Sequence, residues 1–309
     1  MLAFLFMPEL PEVETVARGL QMTVTGRRIV SVTLGKTDFI DDPAALEEHL
    51  PGRSIERVER FGKFMLVRLG RHDSAQKENG AQRDGSLLVH LGMTGHLSPH
   101  PADAPFPKHT HVRLLLDDGR ELRYTDARRF GRMAYLAPEN LPAELERFGA
   151  DPLEIPEHQF AELLKTRRSS IKALLLNQSA LRGVGNIYAD ESLWRAKIHP
   201  MRIASTLSVK ESSQLRTALQ KILLEAIALR GSSIIDFLDA EGEPGEYQQR
   251  HRAYGREGKP CFRCRAPIRR VIVAGRSSFS CPKCQPAPRL HKRSRRRNRP
   301  VTKRSRRTS

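Results

Sequence analysis

Cysteine is scarce in this 309-residue sequence: four occur, all between Cys261 and Cys284. A disulfide-stapled secreted protein would spread its cysteines along the chain, so this clustering indicates a metal site and a reducing compartment. Long hydrophobic runs are missing too, and none approaches the ~18 apolar residues of a membrane helix. The apolar opening Met-Leu-Ala-Phe-Leu-Phe lacks the basic flank and cleavage site of a secretory signal. We therefore expect a cytoplasmic protein with no membrane partner.

Acidic residues are absent from the C-terminal stretch 285–309, which carries eleven lysines and arginines. The whole chain has a formal net charge of +18, so subtracting these eleven charges leaves +7 for the rest. This balance indicates a polyanionic partner. The stretch itself is predicted to be disordered, and its role is open between a solvated extension and a source of nonspecific nucleic-acid affinity.

The hydrophobic periodicity changes twice along the chain. After Pro11, apolar residues recur at helical spacing, which predicts a first helix. From about residue 28 to 138, short apolar segments separated by turns predict an antiparallel sheet or sandwich, with a polar loop insertion at 71–85. The predicted strands are Ile29–Leu34, Phe64–Leu69, Ser86–Leu91, Val112–Leu116 and Glu121–Tyr124. Helical spacing returns from about 157 to 237, including a capping box at Ser208–Glu211. The order of strands, then helices, then clustered cysteines indicates an α+β, multidomain protein.

The cysteines form two C-x-x-C pairs separated by sixteen residues. Each pair fits a tight turn that directs two thiolates at one ion, and four thiolates complete a closed tetrahedral zinc site. Two redox-active pairs are the alternative interpretation, but this spacing favours one structural zinc ion. Its predicted ligands are Cys261, Cys264, Cys281 and Cys284.

A small hairpin is predicted between the two cysteine pairs. Ile268–Val273 and Ser277–Ser280 have strand character, with Gly275 at the bend. A hairpin of this size cannot bury its own core, so zinc must supply much of its folding energy. Arg276 lies beside the bend, and this position in a basic protein favours a contact with nucleic acid over a solvated side chain.

Several further motifs occur in a defined order along the chain. They are Met7–Thr15 (MPELPEVET), His90–Gly95 (HLGMTG), Tyr124–Gly131 (YTDARRFG), Gly183–Tyr188 (GVGNIY) and Tyr254–Arg256 (YGR). In this order, and followed by the cysteine pairs, they resemble the formamidopyrimidine-DNA glycosylase family. The resemblance extends from Met7 to about Gln285. The insertion at 71–85 and both terminal extensions lie outside the family's pattern.

The resemblance implies a two-lobed clamp that acts on damaged double-stranded DNA as a monomer. An N-terminal β-sandwich carries the first helix, and a helix–two-turn–helix domain follows and ends in the zinc finger. It implies these boundaries: an extension 1–7 absent from the mature protein, a catalytic β-sandwich domain 8–140, a helix–two-turn–helix domain 141–245, a zinc finger 246–285 and a disordered basic tail 286–309.

The family excises oxidised purines, chiefly 8-oxoguanine and formamidopyrimidines, and then cleaves the abasic strand. The resemblance makes Pro8 the nucleophile that forms an iminium at C1′, an electron sink for the later eliminations. It makes Glu9 the acid/base at the sugar ring oxygen. Lys63 corresponds to the lysine of β-elimination and phosphate contact. Arg276 corresponds to the arginine of δ-elimination.

The nitrogen of Pro8 follows Met7 in this sequence, where it is a tertiary amide without a nucleophilic lone pair. A free terminal amine has a pKa of roughly 7.7–8.0, so part of it is unprotonated near neutrality. We therefore expect translation to start at Met7, which is then removed, with residues 1–6 mis-assigned or cleaved.

Flipping the damaged nucleotide out of the duplex leaves a gap that side chains must fill. Met93, Arg128 and Phe130 match the family's intercalating residues, and Arg128 would face the orphaned cytosine. Ala127 replaces a proline common in this motif, which is expected to loosen the loop. The predicted DNA-binding residues are His109, Arg128, Arg167 and Asn186.

Two alternatives stay open. The first is an endonuclease VIII-like glycosylase for oxidised pyrimidines, which shares the terminal proline and the zinc finger. Leu10 disfavours it because that group typically has glycine at this position. The second is a noncatalytic zinc-ribbon DNA-binding protein, which predicts no covalent trapping of the protein on damaged DNA by borohydride.

The two interpretations of the basic tail predict different salt dependences of DNA binding. A tail that binds phosphates predicts that deleting residues 286–309 makes the plot of log K against log salt shallower, by roughly 0.9 for each phosphate that the tail neutralises. A solvated extension predicts parallel plots. Binding of both chains to undamaged duplex, measured across a salt series, distinguishes the two.

Overall fold

The computed structural model describes residues 7–71, 85–233 and 237–288. The expected extension 1–7, except Met7, lies outside the described residues, as do the 71–85 insertion, except its two ends, and the basic tail beyond residue 288. Within the described part of the chain, no helix has the length and apolar character needed to cross a bilayer.

Along the described residues, most strands come first, most helices follow, and two short strands come last. The helices are α1 (Leu10–Val24), α2 (Pro43–His49), α3 (Leu141–Glu146), α4 (Glu157–Lys165), α5 (Ile171–Leu176), α6 (Asn186–Ala196) and α7 (Val209–Ala228). The strands are β1 (Ile29–Leu34), β2 (Arg53–Phe61), β3 (Phe64–Arg71), β4 (Ser86–His90), β5 (Gly95–Pro101), β6 (Thr110–Leu116), β7 (Arg120–Asp126), β8 (Arg132–Leu136), β9 (Arg269–Val273) and β10 (Arg276–Ser280).

The N-terminal strands form two four-stranded antiparallel sheets, with strand orders β1-β6-β7-β5 and β2-β3-β4-β8. Alternate residues of β6, namely Val112, Leu114 and Leu116, face the core, as the alternating pattern predicts. The apolar face of α1 packs into the same core, which continues into α6 and α7. The predicted α+β architecture is therefore confirmed.

Strand β2 was not predicted because a β-bulge hides its alternation. The pairing of β2 with β3 shifts between Ile55 and Arg57, so the buried residues Ile55 and Val58 are three positions apart instead of two. Strand β5 was also missed, because Pro99 and Pro101 are residues that disfavour strands. It lies at a sheet edge, where prolines are tolerated.

A buried ion pair fastens the C-terminal hairpin to the helical region. The Lys172 ammonium on α5 donates to Asp190 Oδ1 on α6 at 2.7 Å and to the carbonyl of Ser277 on β10 at 2.9 Å. The second oxygen of Asp190 accepts the backbone N–H of Phe279 at 2.9 Å. Both charged side chains are almost completely buried, so this pair sets where β10 lies against the helices.

Replacing Lys172 by methionine is expected to destabilise the protein by about 3–5 kcal/mol, because Asp190 would remain buried without its cation. The exposed Lys210→Met on α7 is the matched control and should change stability little. Urea unfolding of the zinc-loaded protein measures both variants. Equal stabilities of the two variants would show that the pair does not hold the hairpin.

Candidate active site and DNA interface

The segment Pro8–Glu9 is buried just before α1. The backbone N–H of Leu10 donates to the carbonyl of Gly183 at 3.0 Å, which ties the start of α1 to the Gly-rich turn preceding α6. The N–H of Glu9 donates to the Glu12 carboxylate at 2.9 Å, one half of a capping box. The first residues of the family motif are therefore fixed between the sheet region and the helical region.

The Glu9 carboxylate lies at the N-terminus of α6. Its Oε1 accepts the N–H of Ile187 at 3.0 Å and its Oε2 accepts that of Tyr188 at 3.4 Å. A Cβ on Gly185 would overlap the Glu9 carboxyl group, so only glycine permits this approach. Burial raises the pKa of Glu9, while nearby Lys63 and these backbone donors lower it. The carboxyl is thus poised to exchange a proton.

The Gly-rich turn before α6 presents backbone N–H groups to an anion. The N–H groups at the start of α6 bind a carboxylate of this chain rather than a free phosphate. Asn186 is the first residue of α6, and its side-chain oxygen is buried without a hydrogen-bond partner among the described residues. Its predicted contact with DNA stays a prediction.

Lys63 lies in the tight turn between β2 and β3, where Gly62 has a φ of +63°. The Phe61 ring in this turn lies 4.4 Å from the guanidinium of Arg182, which docks the turn on the helical region. Burial lowers the pKa of the Lys63 ammonium, the Glu9 carboxylate raises it, and the positive charge of Arg276 lowers it. Lys63 therefore lies within electrostatic range of both predicted catalytic partners.

Arg276 begins β10 directly after a turn in which Ala274 and Gly275 both have positive φ, at +50° and +72°. Two left-handed residues are the geometry of a tight β-hairpin turn. The guanidinium is exposed, yet its positive charge lowers the pKa of Lys63 and that of Lys172. Lys63 thus lies within electrostatic range of Glu9 on one side and of Arg276 on the other, with Pro8 beside Glu9 in the chain.

The predicted intercalating residues lie on two adjoining loops of the sheet region. Met93 occupies the turn between β4 and β5, and Arg128 and Phe130 occupy the loop between β7 and β8. Phe130 is 54% exposed, and the Arg128 guanidinium lies 4.6 Å from its ring centroid. A large exposed aromatic ring covered by a cation is suited to stacking between bases.

The other predicted DNA contacts lie on separate surfaces. His109 is exposed, has a φ of +68° and precedes β6, next to the loop of Arg128. Arg167 is exposed in the segment after α4 of the helical region. The structure therefore groups His109 with the intercalating loops and places Arg167 in a different domain.

A buried network behind Glu9 was not predicted from the sequence. The Glu12 carboxylate accepts hydrogen bonds from the Tyr188 hydroxyl and from the backbone N–H of Ser232 at 2.7 Å, besides that of Glu9. Gly231 lies against Glu12, leaving no room for a Cβ. The Glu-x-x-Glu spacing at the start of α1 was the sequence signal that could have identified Glu12.

The four cysteines form the candidate zinc centre. Their sulfur atoms all lie within 4.8 Å of one another, on the turns that flank β9 and β10. Four thiolates at this spacing match a closed tetrahedral Zn²⁺ site. Arg263, between the first two cysteines, donates to the carbonyls of Trp194 and Arg195 at 2.6 and 3.0 Å, which docks the finger on the end of α6.

A proline–carboxylate pair between a β-sandwich and a helical lobe, beside a zinc hairpin, is the arrangement of the zinc-finger DNA glycosylases. Sequence profiles of the Formamidopyrimidine-DNA glycosylase N-terminal domain, its H2TH domain and the zinc finger found in FPG and IleRS match residues 7–133, 148–237 and 258–287. The chain belongs to the formamidopyrimidine-DNA glycosylase family.

Individual relatives agree with this assignment. The chain is 43% identical over 284 residues to a formamidopyrimidine-DNA glycosylase of Herpetosiphon aurantiacus, covering 90% of this chain and 100% of that protein. A Lactococcus lactis FPG mutant bound to Fapy-dG DNA superposes with a TM-score of 0.81 at 34% identity, covering 91% and 100%. Wild-type L. lactis Fpg bound to DNA with an oxidised pyrimidine gives a TM-score of 0.80 at 34% identity, covering 91% and 100%.

The buried Glu12 carboxyl predicts a pH dependence of stability. Burial and the adjacent Glu9 raise its pKa from 4.5 to about 7, so the folded protein favours the protonated form. The stability contribution is complete below about 4.5 and is lost as the pH rises towards 7, at roughly 1.4 kcal/mol per pH unit at most. Glu12→Gln should therefore gain stability relative to the wild type across this window.

Urea unfolding at several pH values measures the difference, and the exposed Glu47→Gln on α2 is the matched control. The raised pKa of Glu12 would be contradicted if the free energies of unfolding of the wild type and of Glu12→Gln changed equally with pH.

Proposed function

We propose that this protein removes oxidised purines from duplex DNA and then cleaves the abasic strand, as a bifunctional glycosylase and lyase of base excision repair. The observation that carries the proposal is the buried Glu9 carboxylate on the α6 N-terminus, directly after Pro8 and within electrostatic range of Lys63. Complexes of the L. lactis relative with Fapy-dG DNA support the same substrate class.

The chemistry begins with the Pro8 nitrogen. In the proposed mature chain, which starts at Pro8, this nitrogen is a free secondary amine that attacks C1′ as the C1′–base bond breaks. The proton that the nitrogen loses neutralises the departing base. Glu9 delivers a proton to the ring oxygen, so the sugar opens and an iminium forms between Pro8 and C1′. The raised pKa of Glu9 favours the protonated form that this step needs.

The eliminations follow from the iminium as electron sink. Loss of a C2′ proton expels the 3′ phosphate, and a second elimination expels the 5′ phosphate. Lys63 and Arg276 are the cations that we place on these phosphates, because Lys63 lies within electrostatic range of both Glu9 and Arg276. Water then hydrolyses the iminium and restores the amine.

The DNA is held and distorted by the remaining predicted residues. Met93, Arg128 and Phe130 fill the stack that the flipped nucleotide vacates. We place phosphate contacts on His109 of the sheet region and on Asn186 and Arg167 of the helical region. Both regions therefore grip the duplex. A zinc ion on Cys261, Cys264, Cys281 and Cys284 supplies folding energy to the finger that carries Arg276. The protein acts as a monomer in the cytoplasm, on nucleoid DNA.

Paired substrates test this proposal. Single-turnover excision, followed with and without borohydride, should be ~10-fold or more faster on 8-oxoguanine:cytosine than on thymine-glycol duplexes of the same sequence. Undamaged duplex is the control and should give no trapped complex. Faster excision of thymine glycol would favour the endonuclease VIII-like alternative, which the oxidised-pyrimidine complex of the L. lactis relative makes worth testing. Absence of trapping on every substrate would favour the noncatalytic protein.

A further inference from the structure

One buried carboxylate outside the catalytic cluster contacts every loop that carries the predicted intercalating residues. Asp126, at the end of β7, is fully buried. Its Oδ1 accepts the Thr94 hydroxyl and the backbone N–H of Arg128, the latter at 3.2 Å. Its Oδ2 accepts the N–H of Gly131 at 3.0 Å and the Tyr124 hydroxyl at 3.2 Å. Four donors therefore converge on a single side chain.

The backbone of Asp126 reaches a third segment. Its N–H donates to the carbonyl of His109 at 3.1 Å, and its carbonyl lies 3.1 Å from Nε2 of His111. One residue thus connects the turn of Met93, the segment of His109 and the loop of Phe130.

Close packing of backbone leaves these loops little freedom to move independently. Gly92, with a φ of +66°, lies so close to the backbone of Phe130 that a Cβ would overlap it. A Cβ on Gly131 would likewise overlap the Tyr124 hydroxyl. Burial and the charge of Asp126 raise the pKa of Tyr124, so this hydroxyl stays protonated as a donor. The loop also contains Arg129 at a φ of +55°, a conformation that its surroundings must hold in place.

An aspartate is required at this position by hydrogen-bond chemistry. An ionised carboxylate only accepts, so it satisfies four donors, whereas an asparagine would turn an NH₂ group towards them. Leaving buried donors without an acceptor is unfavourable, and a loop shifts to avoid it. Side chains that must enter a base stack together need their loops preset in one geometry.

We propose that Asp126 is the positioning residue that presets Met93, Arg128 and Phe130 for insertion into the duplex. The inference rests on the proposed function, because it assigns these three side chains to intercalation. Steps that require a flipped nucleotide should therefore depend on Asp126, whereas steps on an abasic site that is already single-stranded should not.

The test compares two substrates with the chain beginning at Pro8. Asp126→Asn should lower single-turnover excision from an 8-oxoguanine:cytosine duplex by about 10- to 100-fold. Cleavage of an abasic site in a single strand, and its trapping by borohydride, should change less than about twofold, because no stack is opened there. Discrimination between cytosine and adenine opposite the lesion should also weaken, since Arg128 is no longer held.

Matched variants separate positioning from general damage. Asp118→Asn changes an aspartate that pairs with Arg120 in the exposed β6–β7 turn, and it should leave both activities unchanged. Thr94→Val removes one donor to Asp126 and should reproduce the loss on the duplex, whereas Thr94→Ser keeps the hydroxyl and should restore it. If Asp126→Asn does not fold, the two Thr94 variants carry the same comparison.

The outcomes distinguish this inference from the function on which it rests. Equal losses on duplex and single strand would overturn the inference, because they indicate a general structural role. Full duplex activity in both Asp126→Asn and Thr94→Val, with strong losses in Arg128→Ala and Phe130→Ala, would overturn the inference alone. Full duplex activity in Arg128→Ala and Phe130→Ala would instead overturn their proposed intercalating role.

Discussion

The carboxylate of Glu9, bound at the N-terminus of α6, organises the whole site. It joins the segment before α1 to the helical region through the N–H groups of Ile187 and Tyr188. The partial positive charge of a helix N-terminus and the nearby Lys63 offset part of the cost of burying this acid. Because Pro8 precedes Glu9 directly, the same contact fixes the proposed nucleophile between the two lobes.

Much of the fold could be predicted because the periodicity is clear where one face of an element is buried. β1 has the predicted bounds Ile29–Leu34, and the predicted capping box of α7 at Ser208–Glu211 is present. The errors have local causes: a bulge displaces the buried residues of β2, and prolines mark the edge strand β5. Hydrophobic periodicity reflects which residues are buried, so it does not reveal a strand in which the pairing register shifts.

Some residues of the candidate site could be predicted from the sequence, and others could not. The spacing of the four cysteines predicted the zinc site, whereas the role of Pro8 followed from the resemblance of its motif to the family. Glu12 lies in the Met7–Thr15 motif and Asp126 in the Tyr124–Gly131 motif, yet their importance depends on donors far away in the chain, such as Ser232 and Thr94. Partners brought together only by the fold leave no pattern in a single sequence, which is why these distant donors could be identified only from the structure.

The proposed chemistry requires that the free nitrogen of Pro8 bonds the sugar. Reducing the complex with 8-oxoguanine DNA by borohydride, digesting it and locating the DNA adduct by mass spectrometry tests this bond itself. We predict that the adduct lies on the amino-terminal nitrogen of a chain that begins at Pro8. An adduct on Lys63 or another lysine, or an active trapped chain with an intact Met7–Pro8 peptide bond, would contradict the mechanism.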